Sequence, residues 1–172
     1  YYFWVRTYCG GSDYGEWVAL NNAGSGFFTT LYQPPYCIPT NSASPSTATF
    51  INNVTTTGGT ANLNNSSGYS TGSYGDYSSQ IVSQAPGFSV NMSIGFIATG
   101  GVGVAVYVDW NNDGTFATAE RMYNSAAYLS TSPVNTVINV PGAQALGNYR
   151  MRVVADYWAT SPSPCTYGGT TS

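Results

Sequence analysis

Histidine and lysine are absent from this 172-residue chain, and charge of either sign is scarce: four basic and seven acidic residues make up only 6% of it. Ordinary soluble domains carry roughly 25%. Without histidine or lysine, a serine or cysteine nucleophile has no ordinary activating base. The missing histidines and the lack of any C-x-x-C spacing also argue against zinc. Two carboxylates can in principle hydrolyse a glycoside, but the one tight acidic group falls on a loop with a different reading, so no enzyme is expected. The four arginines are scattered, which leaves no basic stripe to neutralise phosphates and excludes nucleic acid as an expected partner. The longest apolar run, "VGVAVYV" at 102–108, is far short of the roughly 20 residues that span a bilayer, so no membrane span is expected in this fragment. Good helix formers are scarce too, and no long segment keeps a 3.6-residue apolar period. The chain opens on "YYFWVRTYC" with neither an initiator methionine nor a signal-like segment, so we expect a piece of a longer polypeptide.

What the chain does have is short β-branched and aromatic runs: "YYFWVRTY", "TATFINNV", "FSVNMSIGFIA", "VGVAVYVDW", "VNTVINV" and "NYRMRVVADYW". Turn clusters such as "TTTGG", "NNSSG", "TGG", "NNDG" and "PGAQALGN" separate them. This pattern predicts an all-β, antiparallel β-sandwich of jelly-roll or immunoglobulin-like type. Pro34-Pro35 cannot enter a strand interior and sets a boundary: residues 1–33 form one unit, 34–36 a proline-rich linker and 37–172 a second unit. Two strands cannot bury a core alone, so the first unit is expected to be part of a larger module.

Three of the seven acidic residues fall in "DWNNDGTFATAE", 109–120. On the twelve-position calcium-loop template, Asp109, Asn111, Asp113, Gly114 and Glu120 occupy positions 1, 3, 5, 6 and 12, and Thr115 supplies the backbone carbonyl of position 7. That donor set suits a hard divalent cation, and Ca2+ is the expected cofactor. The competing reading is an ordinary Asp-Gly turn whose acids are merely solvated. Because "VAVYV" before the loop and "RMYNS" after it read as strand, no helix pair fixes Glu120, which makes it the ligand most at risk.

Three cysteines are an odd number. Cys37 and Cys165 bracket the second unit in an order that suits a closing disulfide, with free buried thiols as the alternative, and Cys9 is left to a partner outside this chain. Arg150 and Arg152 share one face of their strand with Asp156, which lies roughly 13 Å along from Arg152, too far for a direct pair. Cross-strand partners or solvent are the plain reading and a ligand-gripping pair the sharper one. "GYSTGSYGDY", with Tyr69, Tyr74 and Tyr77, has the composition of an adaptable binding loop that stacks on sugar rings, or else of tyrosines packed onto the sandwich.

Two resemblances carry these readings further. "YYFWVRTYC" followed by "GEWVALNNAGSGFFTT" resembles the last hairpin of a fibronectin type III module, with Tyr1, Phe3, Val5 and Trp17 toward its core and Tyr1 or Tyr2 bracing the corner. The D-W-N-x-D-G block, the P-x-G-A…R-M-R-V strand and the flanking Cys37 and Cys165 resemble the GEVED domain of secreted and cell-surface Bacteroidota proteins. The family's acidic closing strand has no counterpart before "CTYGGTTS". The resemblance implies a non-catalytic extracellular module of a large adhesin or surface filament, exported by type nine secretion. Its implied partners are a host or environmental surface, with glycan as one candidate, and the secretion or cell-surface machinery. The competing expectation is an accessory or carbohydrate-binding module of a secreted multidomain hydrolase.

Overall fold

The computed structural model describes residues 36–39 and 47–167 in full, and within the first 35 residues the backbone of four short strands. The chain divides into two compact units, Tyr1–Tyr32 and Gln33–Ser172. In the first, β1 (Phe3–Val5) pairs antiparallel with β4 (Val18–Leu20), and β2 (Tyr8–Gly10) with β3 (Asp13–Tyr14). Tyr1, Tyr2, Trp17 and Pro34-Pro35 lie outside the described residues, as do the side chains of Phe3, Val5 and Cys9.

The second unit is an antiparallel sandwich. One sheet runs β10 (Val134–Asn139), β7 (Ser89–Ala98), β5 (Thr49–Thr57), β6 (Asn64–Asn65), and the other runs β11 (Met151–Tyr157), β8 (Val102–Val108), β9 (Arg121–Asn124). The expected strands form because β-branched residues alternate with polar ones, which suits a sheet with one dry face. In β7, Val90, Met92, Ile94 and Phe96 point inward between Ser89, Asn91 and Ser93. They meet Val54 of β5, Ile138 of β10 and the even-numbered valines of β8 in a single core.

β8 has no polar face, and every residue of it is buried. Val102, Val104, Val106 and Val108 enter the core between the sheets, while Ala105 and Tyr107 belong to a second apolar cluster with Phe116 and Tyr36 on the outer face. A strand covered on both sides reads as a continuous apolar run, which explains "VGVAVYV". The outer cover consists of residues 36–39 and the tail after β11, joined by the Cys37–Cys165 disulfide, whose Cα atoms are 5.6 Å apart. Tyr107 fixes the tail by donating its hydroxyl to the Pro162 carbonyl at 2.8 Å.

Gly103 lets the tail lie against the sheet, because a Cβ there would overlap the Ala159 carbonyl. Gly103→Ala must therefore push the tail outward. We expect a loss of about 1–3 kcal/mol, as for other overpacked sites, read as a lower denaturant midpoint with an unchanged slope. A variant as stable as the parent would show that the tail does not seat here.

Candidate functional site

The acidic loop leaves the end of β8 and returns as β9. Asp109 extends the outward-facing series of Ala105 and Tyr107, and its N–H donates to the Arg150 carbonyl at 2.9 Å, so the sheet itself fixes the loop's first residue. Its side chain is 0% exposed. Oδ2 accepts the Gly114 N–H at 3.0 Å and the Tyr36 hydroxyl at 2.6 Å, and Oδ1 accepts the Asp113 N–H at 3.2 Å. Gly114, at φ +83°, occupies the left-handed region that glycine enters freely, which lets the chain turn back around the carboxylate.

The exposed side of the loop is ordered by its own side chains. Asn111 Oδ1 accepts the Asp113 N–H at 3.0 Å and Asn111 Nδ2 donates to Asp113 Oδ2 at 2.9 Å. Asp113 Oδ1 accepts both the Thr115 hydroxyl, at 2.7 Å, and the Thr115 N–H, at 2.8 Å. The Thr115 hydroxyl, then its N–H, then Asn111 hold the Asp113 carboxyl below its ordinary pKa and keep it ionised.

Glu120 ends a short 3-10 turn, Thr118–Glu120, and is nearly buried at 7% exposure. Its Oε1 accepts the Trp110 N–H at 3.1 Å and its Oε2 the Ala117 N–H at 2.9 Å, so the carboxylate ties the loop's end to its beginning. Trp110 is itself held from three sides: its indole N–H donates to Met122 Sδ at 3.3 Å, its carbonyl accepts Gln144 Nε2 at 2.8 Å, and its ring packs on Tyr149. Two of the three loop acids are thus buried rather than solvated, and none is paired with a cationic side chain among the described residues. Nor, among those residues, do three acidic, cysteine or histidine groups converge as a ready cage. An ion held here would depend on the amide, the carbonyl and water beside Asp109 and Asp113.

Sequence reasoning missed Tyr36 and Phe116. Tyr36 stacks on Phe116 with centroids 5.1 Å apart while its hydroxyl reaches Asp109. Since Tyr36 immediately precedes Cys37, the disulfide and the acidic loop form one construction. Their only signal was the aromatic beside each motif. Arg152 completes it from below: its guanidinium donates to the Pro164 carbonyl at 2.7 Å and to Cys37 Sγ at 3.1 Å, and lies 4.7 Å from the Phe116 ring centre and 5.5 Å from that of Tyr74. Burial lowers the pKa of this guanidinium, and Tyr74 opposes the shift. Arg150 lies over Tyr36 and pairs with Asp76 at 3.6 Å. Both arginines therefore have partners within the chain.

The loop, its strand flanks and Cys165 all fall in one recognisable stretch. Residues 103–171 match the GEVED domain family. The GEVED match takes in β8 from its second residue, then β9, β10 and β11, together with the acidic loop and Cys165, while Tyr36 and Cys37 precede it. No curated protein and no solved structure matches the chain.

Tyr69, Tyr74 and Tyr77 line one cleft of about 980 Å³ beside β11, together with Trp110, Tyr149 and Arg150. Within it Tyr69 packs edge-on against Phe50, Tyr74 lies by Arg152, and Tyr77, 39% exposed, shares a 2.6 Å hydrogen bond with Ser70.

Proposed function

We propose that this chain is a non-catalytic, calcium-stabilised extracellular module of a larger secreted cell-surface protein of adhesin or filament type, in which the first unit is the end of a fibronectin type III-like module. One observation carries the calcium reading: Asp109 is wholly buried, yet among the described residues its carboxylate accepts only neutral donors. A buried charge is ordinarily paired or bound to a metal, and Oδ1, which accepts a single N–H, keeps a lone pair for an ion, while Oδ2 is filled by the Gly114 N–H and the Tyr36 hydroxyl. Asp109, Asn111 and Asp113 side chains and the Thr115 carbonyl would hold the ion, with Glu120 closing the loop behind them. The cation would neutralise the loop acids and add to folding free energy without taking part in any reaction.

The GEVED similarity and the disulfide support an extracellular location, since disulfides persist in oxidising compartments. A Bacteroidota source, export by type nine secretion, and partners at a host or environmental surface follow from the same family resemblance. In thermal melts, calcium at about 100 times its Kd should stabilise the chain by about 2.7 kcal/mol over chelator, a rise of roughly 5–10 °C, and the shift should grow with ion concentration. Superimposed curves would remove the ion from this reading.

The cleft favours a second reading, a carbohydrate-binding accessory module of a secreted hydrolase, because its tyrosines offer faces and hydroxyls to a sugar. A catalytic domain in the full polypeptide and loss of glycan binding in Tyr77→Ala would support it. Unchanged binding in that variant would refute it.

A further inference from the structure

A second aromatic group lies away from the acidic loop, where the β7–β8 turn, the β9–β10 connection and the segment after β11 meet. Trp158 and Tyr128 are each 48% exposed there, with ring centres 4.9 Å apart and planes at 80°. Tyr157, a ring that also lines the cleft, packs edge-on against Trp158 at 5.6 Å. The rings rest on the turn at Gly100 and Gly101: a Cβ on Gly100 would lie 2.9 Å from Tyr157 Cε2, and one on Gly101 2.9 Å from Tyr128 Cβ and 3.4 Å from Trp158 Cζ3. A turn without side chains is what allows three large rings to settle on it.

Trp158 also has a backbone that a bulky residue rarely adopts, φ +53°. Its N–H donates to the Gly101 carbonyl at 3.0 Å and its carbonyl accepts the Tyr128 hydroxyl at 3.1 Å, so both peptide groups are held while the indole stays half in solvent. A segment seeking only a stable fold would turn this ring inward or place glycine here. Fixed, exposed rings in a disfavoured conformation are a feature of binding sites.

The surroundings decide the chemistry of the ligand. None of the segments 97–103, 124–133 and 157–163 contains a charged residue, and their polar groups are hydroxyls and one amide, from Thr99, Asn124, Ser125, Ser130, Thr160 and Ser161 among others. These three segments offer no cation to an anionic ligand. A pyranose ring presents a C–H face to an aromatic ring and hydroxyls at its rim, and both find counterparts. We propose that Trp158 and Tyr128 form a binding platform for a neutral saccharide, with Tyr157 supporting Trp158 from beneath the exposed surface. This does not rest on the calcium loop or on occupation of the cleft.

The test uses the full chain on an array of neutral oligosaccharides, covering β-glucans, xylans, mannans, galactans and chitooligosaccharides, followed by calorimetric titration with the strongest. At least one neutral glycan is expected to bind saturably. Trp158→Ala should weaken it about tenfold or more, the loss typical of one stacking ring, and Trp158→Phe, which keeps a ring, by clearly less. Melting curves check that both variants fold. The proposal is overturned if no neutral glycan binds or if binding survives unchanged in a folded Trp158→Ala. It is equally overturned if that variant leaves glycans unaffected and instead abolishes self-association in sedimentation, which would make the rings a protein interface.

Discussion

Replacing Cys37 and Cys165 together with serine is expected to lower unfolding stability by about 4–5 kcal/mol, because the bridge closes a loop of more than a hundred residues in the unfolded chain. The sequence separation is 128. Such a loss corresponds to roughly 10–20 °C in melting temperature for a unit of this size. It should be accompanied by a local change, since the bridge holds Tyr36 against Asp109 and gives the Arg152 guanidinium one of its neighbours. Denaturant titration of the parent, the double variant and the reduced parent measures it. A difference below about 1 kcal/mol would show that the cover adheres to the sheet by packing alone. If the ion is present, the double variant should also need more calcium to reach the same shift, because the loop's buried carboxylate loses its hydroxyl partner.

Asp109→Ala is expected to cost about 3–5 kcal/mol even in chelator. Three donors, the Tyr36 hydroxyl and the Asp113 and Gly114 N–H groups, converge on this one carboxylate in a place closed to solvent. A buried donor left without its acceptor costs about 1–3 kcal/mol, and partial access of water keeps the sum below three full penalties. Asp109→Asn separates hydrogen bonding from charge. The amide retains one acceptor oxygen and should lose about half as much stability in chelator, yet it removes the charge a cation needs, so the calcium-dependent shift should vanish. If Asp109→Asn keeps the full calcium shift, the ion lies elsewhere. If Asp109→Ala is as stable as the parent, the carboxylate is not what closes the loop.

The strands were largely legible because each is specified by its own side chains. β7 alternates apolar with polar residues and faces the core on one side. "VGVAVYV" has no polar face, and the structure covers it on both. β6 was hidden in "NNSSG", since two asparagines pairing with Val54 and Thr55 carry no apolar signal. The loop template also announced itself, because Asp-x-Asn-x-Asp-Gly spacing fixes which oxygens turn toward the main chain.

Local pattern could not say that Asp109 would be sealed from solvent or that Glu120 would act as a strut. It also could not place Tyr36 and Arg152 around the loop and disulfide. Those contacts join residues 73 and 115 positions apart. The sequence by itself determined which segments become strands and which acidic and amide residues gather on one tight loop, since periodicity and turn chemistry act over a few neighbouring residues. Only the tertiary structure decided that the loop, the disulfide and the outer cover form one construction, and that Trp158 faces outward on a glycine turn. Burial and long-range pairing depend on how the sheets stack and the chain closes, and no single segment encodes that.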